Sequence, residues 1–152
     1  MLLQLLIAWC LLAFSVVVHA WGVTFALRWV RRQKIAPNRV VPWNWLFVRL
    51  AGWIVLLHVT EIIAWAYAYV SLGAMPEFAS ALYFSAVTYT TTGYGDLVLP
   101  ENSRLIGAIE ALTGILMCGW STAFFFAVVN RMFLARRDRP VIEDDRLGEA
   151  GA

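Results

Sequence analysis

Charge is scarce in this sequence. Asp, Glu, Lys and Arg make up 14% of its 152 residues, against about 25% in soluble domains. Too few charges remain to solvate an ordinary protein surface, which excludes a soluble enzyme, a nucleic-acid binder and a disordered tail. Lysine is almost missing, since Lys34 stands alone among basic residues that are otherwise Arg. Cysteine is nearly absent as well. Cys10 and Cys118 lie far apart in apolar runs, with no CxxC pair and no His at ligand spacing, so neither a disulfide framework nor a metal site is expected. What is abundant is apolar surface, at 61% of residues against roughly 45–50% in soluble domains. A chain this short cannot hide so much in one water-soluble core. The expected class is an all-α membrane protein whose partner is the lipid bilayer, with no nucleic acid, no small-molecule substrate, no cofactor and no enzymatic activity.

Three runs are long enough to cross a hydrocarbon core, which takes about 20 residues. Met1 to Leu27 carries no formal charge. Trp45 to Leu72 is interrupted only by Arg49 and Glu61. The run between Arg104 and Arg131 holds Glu110 as its only charge. Between the last two lies Met75 to Pro100, too polar at its centre to span. Such a segment is tolerated at membrane depth only when buried in protein or lining a watery cavity, so it is read as re-entrant. Val18-His19-Ala20 resembles a signal-peptide cleavage site. The run before it lacks Lys and Arg and exceeds a usual h-region, so the first segment is read as a retained helix.

Basic residues in the connections set orientation. Arg28, Arg31, Arg32, Lys34 and Arg39 cluster after the first run, and Arg131, Arg136, Arg137 and Arg139 after the third. Both clusters are expected in the cytoplasm, with the re-entrant segment and the N-terminus outside, in a multi-pass protein of the cell membrane. Trp29, Trp43 and Trp45 are assigned to an inner aromatic belt, and Trp65, Tyr67 and Tyr69 to an outer one.

Inside the re-entrant segment stands Thr90-Thr91-Thr92-Gly93-Tyr94-Gly95-Asp96. A glycine can adopt the left-handed backbone that a side chain resists, so Gly93 and Gly95 allow consecutive carbonyls to point the same way. The string closely resembles the TVGYG selectivity filter of the potassium-channel pore family. That resemblance implies a homotetramer around a filter of Thr91, Thr92, Gly93, Tyr94 and Gly95. Potassium ions would be held at the carbonyls of Thr91, Thr92, Gly93 and Tyr94, and the Thr91 hydroxyl would add the innermost ring. Thr92 replaces the commoner Val or Ile, so its hydroxyl needs a partner behind the filter.

The resemblance covers about residues 45–134; together with the spans and charge clusters, which alone place the segments outside it, it gives the expected domain layout. Residues 1–30 form a peripheral transmembrane helix, 31–44 a basic cytoplasmic loop and 45–134 the pore domain, followed by a polar cytoplasmic tail over 135–152. Within the pore domain it implies an outer helix 45–72, a pore helix 76–90, a filter 91–96 and an inner helix 104–134. Pro76 and Glu77 suit the start of the pore helix. Tyr83 and Phe84 take the places of the aromatic pair around the filter, with Tyr83 in reach of Asp96. Val87 stands where a bacterial member carries a Glu, so a clamp built on that acid is missing. Gly114 and Gly119 match hinge glycines, for which close packing is the competing explanation. Ile115, Cys118, Thr122 and Phe126 would line the cavity.

The ionisable residues in the spans are candidates for function. Glu110 lies about 9 Å along the helix from Arg104, at filter level, as either a brace or a proton sensor. His58 and Glu61 share a face of the second helix. His19 is expected only to pack or to reach toward the interface. The first run has no ladder of Arg, so it is not read as a voltage sensor. The alternatives to a potassium-selective channel are a weakly selective channel, a non-conducting subunit or sensor, and a transporter subunit. The single intact filter argues against each of them.

Overall fold

The computed structural model describes residues 2–32 and 40–137. All elements among them are helical: α1 (Leu2–Arg32), α2 (Val40–Ser71), α3 (Phe78–Tyr89), a 3-10 turn (Glu101–Ser103) and α4 (Arg104–Arg137). Three stretches are long and apolar enough to cross a membrane, Leu2–Arg32, Asn44–Ser71 and Glu101–Arg131. The chain divides into two compact units, residues 1–122 and 123–152. In the second, α4 runs on to Arg137.

In the first unit α2 lies between α1 and α3. The face that α1 turns inward is made of small and polar residues: Ala8, Ser15, His19, Gly22, Val23 and Ala26. Its large side chains, among them Trp9, Phe14, Trp21 and Phe25, are exposed. This reverses the pattern of a soluble amphipathic helix and suits lipid, where small residues let helices approach closely. At Gly22 an added Cβ would run into the Leu57 side chain, and Trp53 Nε1 donates to the Gly22 carbonyl at 3.0 Å.

The core joins Ala8 to Trp65, Ala66 and Tyr69 of α2, Ala81, Phe84 and Tyr89 of α3, and Ile106 and Met117 of α4. Trp65 and Tyr69 are fully buried here, which corrects their assignment to an outer belt; only Tyr67 of that trio faces outward. Trp45 is exposed, and the guanidinium of Arg49 sits 4.6 Å above the Trp29 ring. The Trp43 side chain lies outside the described residues.

Several boundaries differ from expectation. The basic loop was expected over 31–44, yet α1 continues through Arg31 and Arg32, whose charges suit a helix C-terminus. Helix α2 begins at Val40, with Pro42 in its first turn, where a missing N–H costs nothing. Residues 33–39 and the expected tail from 138 onward lie outside the described residues. At its other end α2 stops at Ser71, one residue early. Gly73 takes φ +66 and its N–H donates to the Val70 carbonyl at 3.0 Å, a left-handed stop. A helix was expected over 76–90, and α3 covers Phe78–Tyr89. Ala74 and Met75 are held to the Tyr69 carbonyl, so the chain is still turning at Pro76. Glu77, extended at φ −122 and ψ 138, is the N-cap, and its side chain makes no capping bond. Helix α4 reaches Arg137, past the expected end at 134.

Helix α4 is unbroken through Gly114 and Gly119. A Cβ on Gly114 would strike the Tyr89 carbonyl, while one on Gly119 would meet nothing within 4 Å. Gly114→Ala should therefore destabilise the protein by roughly 1–3 kcal/mol, as overpacking does. Gly119→Ala should be neutral, or stabilising by up to about 1 kcal/mol. Thermal denaturation of the two variants in one detergent checks the contrast, and equal loss would contradict it.

Candidate functional site

The last turn of α3 leads straight into the motif. Its carbonyls would be orphaned at a helix end, and the motif's own backbone satisfies them. Thr90 N–H donates to the Ala86 carbonyl at 3.1 Å and Thr91 N–H to that of Thr88 at 2.9 Å. The Val87 carbonyl accepts from Thr92 at 2.8 Å and from Gly93 at 3.0 Å. Val87 thus supports the segment through its backbone, whatever its side chain lacks.

Beyond this cap the backbone alternates. Thr91, Gly93 and Gly95 have φ of 59, 53 and 77, so every second residue is left-handed. The two glycines were legible as such; Thr91 was not, because a β-branched residue with positive φ is a rare outlier. The Thr90 hydroxyl donates to the Ala86 carbonyl at 2.7 Å. With its one hydrogen so used, its oxygen accepts from the Thr92 hydroxyl at 3.0 Å. Thr90 is therefore the partner that Thr92 required.

At the outer edge Tyr83 donates to an Asp96 carboxylate oxygen at 2.8 Å. That bond raises the Tyr83 pKa from its ordinary value of 10.0. A raised pKa means that the contact is complete at neutral pH and is lost only as pH climbs through the raised value. Phe84 is buried, with its ring 5.2 Å from that of Tyr69 in an edge-on contact.

Behind α3, Glu110 is fully buried. It accepts from the Tyr69 hydroxyl of α2 and from the Ser85 hydroxyl of α3, each at 2.5 Å. Ser85 Oγ also lies 2.9 Å from the Ile62 carbonyl. One carboxyl thereby joins three helices. Ser85 went unnoticed in the sequence and Tyr69 was assigned only to the outer aromatic belt, because each looks like an ordinary helix residue until α2 and α4 flank α3.

The family model described as “Ion channel” matches residues 55–131, half of the chain. The chain belongs to this ion-channel family. It is a multi-pass membrane protein, and the matched part of the channel runs from within α2 to Arg131, leaving α1 outside. Comparison with curated proteins found no match, and comparison with solved structures found none.

The remaining candidate residues of the channel are placed as follows. Thr90 to Val98 are all exposed in the single chain. Ile115, Cys118 and Thr122 of α4 are exposed, and so is Phe126 in the second unit. His58 and Glu61 belong to one network, and His19, expected only to pack or to reach outward, lies at its heart. It is fully buried and contacts Glu61 Oε1 and Ser121 Oγ, each at 3.0 Å. Helix α1 packs that face of His19 against α2, which periodicity within α1 alone could not reveal.

Glu110 gives the sharpest test of this architecture. A Gln at 110 can accept from Tyr69 and donate to Ser85, which then donates to Ile62. Glu110→Gln should match the native thermal stability. Glu110→Ala leaves Ser85 the Ile62 carbonyl but strands the buried Tyr69 hydroxyl, and should lose about 1–3 kcal/mol. Equal stability of the native protein and the Ala variant would mean that Glu110 braces nothing.

Proposed function

We propose that this channel is potassium-selective and conducts passively through a homotetramer. The carrying observation is the left-handed backbone at Thr91, Gly93 and Gly95. Residues alternating in hand turn successive carbonyls toward one side, and four such strands facing one axis make rings of oxygen that can replace an ion's hydration shell. A single strand makes no ring, so closure about a four-fold axis is required. The exposure of the whole motif in one chain supports this, since its far side is left for other copies. In the assembly, Thr91, Thr92, Gly93 and Tyr94 hold the potassium ions. Helix α3 serves as the pore helix, α2 as the outer and α4 as the inner helix, with Ile115, Cys118, Thr122 and Phe126 toward the cavity.

Orientation follows the basic residues. Arg28, Arg31 and Arg32 end α1, and Arg49 lies near the start of α2. This end faces the cytoplasm under the positive-inside rule. Gln4, near the start of α1, donates to Ser103 Oγ at 3.3 Å, just before α4. The N-terminus therefore shares the outer side with the mouth of the motif.

Two measurements test the reading. In mild detergent the particle should have the mass of four chains, and a stable dimer or trimer would overturn the tetramer. In liposomes, potassium flux should far exceed sodium flux. Gly93→Ala places a Cβ in open space but at φ +53, a backbone strain on the order of 1–2 kcal/mol per chain. Selectivity or conduction should be lost. Val98→Ala, at a side chain that is 68% exposed, should leave both intact. Native ion preference in Gly93→Ala would overturn the filter assignment.

A further inference from the structure

We propose that His19, His58, Glu61, Tyr89 and Ser121 form a buried binding site for one proton, through which the first helix is tied to the residue that precedes the motif. The five side chains come from all four helices and close a ring. His19 Nδ1 lies 3.0 Å from Glu61 Oε1, and His19 Nε2 lies 3.0 Å from Ser121 Oγ. Ser121 Oγ is 3.1 Å from His58 Nε2, and His58 Nδ1 is 3.1 Å from the Tyr89 hydroxyl. Tyr89 returns to Glu61 by donating to Oε2. His19 and Glu61 are fully buried, Tyr89 is 1% exposed and Ser121 6%. His58 is half-buried, so bulk water is kept from the contacts among His19, Glu61, Ser121 and Tyr89.

Counting hydrogens decides the occupant. An ionised Glu61 has none to give, and Tyr89, Ser121 and two neutral imidazoles give one each. That makes four hydrogens for five contacts. A fifth proton closes the ring. Placed on His19, it lets both ring nitrogens donate, one to Glu61 and one to Ser121. Ser121 then donates to His58, His58 to Tyr89 and Tyr89 to Glu61, so every donor and acceptor is used once. The imidazolium touches the carboxylate, and the pair is neutral as a whole, as the full burial of His19 and Glu61 requires. Cys118 and Glu110, both on α4, are the other titratable groups close to the ring.

The same ligand atoms of His19, His58 and Glu61 lie within 4.8 Å of one another, a span that a metal ion could bridge. Each already has a hydrogen-bond partner, so a metal would have to break the ring that a proton completes. The site also has leverage. Tyr89 is the last residue of α3, the motif follows it directly, and its carbonyl is what Gly114 packs against. Loss of the proton opens one contact between α1, α2 and this point. The effect on ion flow rests on the channel reading above; the proton site itself does not.

The chain has two histidines, so 15N-histidine spectra of the full-length protein in lipid contain only their ring nitrogens. The expected spectrum has one imidazole with both nitrogens protonated and one neutral ring protonated at Nδ1. Raising the pH should remove one proton per chain in a single step. Ser121→Ala deletes two contacts and one hydrogen, leaving three contacts that three hydrogens satisfy with both rings neutral. The step should then move to lower pH, and Ser121→Thr should restore it. Two neutral rings, two charged rings or no step in the native protein would overturn the proposal, as would one zinc ion retained per chain. An unmoved step in Ser121→Ala would overturn the ring as its cause. In liposomes, potassium flux should follow the same step and lose its pH dependence in His19→Gln; a dependence that persists in that variant would overturn the coupling. Absence of potassium flux at every pH would sink the channel reading alone, because the spectra are read without it.

Discussion

Two fully buried carboxyl groups organise this molecule. At membrane depth an unpaired polar group costs several kcal/mol, so Glu61 and Glu110 each need donors from neighbouring helices. Glu110 takes them from Tyr69 and Ser85, and Glu61 from Tyr89 and His19. Helix α3 donates to both acids, once from its middle and once from its end. A helix of 12 residues, too short to be held by length, is thereby clasped at two points between α2 and α4. The position of the motif depends on these clasps.

The packing around them follows the logic of lipid. Large apolar side chains face outward because hydrocarbon solvates them as well as a protein core does. The inward stripe of α1 is left to Ala, Ser, His and Gly, which is where close approach and hydrogen bonding are needed. Gly22 and Gly114 are both sites where a Cβ would collide, one with Leu57 and one with the backbone of Tyr89. Helix α1 is thus more than a peripheral neighbour. It lies outside the matched family region, yet its His19 reaches the end of α3 through a chain of side chains.

Much of this was legible from residue order. The three spans follow from uninterrupted apolar length, and the left-handed positions at Gly93 and Gly95 follow from glycine's freedom at a motif that needs them. The Tyr83–Asp96 contact and the role of Glu110 between helices were also within reach, because a lone polar residue at membrane depth must find a partner nearby along the axis. Trp65 and Tyr69 were misplaced because an aromatic near the end of a span suits the interface as well as the core. Only the packing of α3 and α4 on α2 decides between them. His19 was undervalued for the same reason, its partners lying on α2 and α4.

Residue order by itself determined the class of the molecule, its spans and the left-handed glycines of the motif. These depend on hydrophobic length and on backbone freedom, and both are local properties. The tertiary structure alone decided which polar groups meet: Glu110 with Ser85, Thr92 with Thr90 around the turn, and His19 with Glu61 and Ser121. Hydrogen bonds at about 3 Å between separate helices depend on how each helix is rotated about its axis. In a chain that is apolar on every face no hydrophobic stripe dictates that rotation, and only the mutual fit of all four helices sets it.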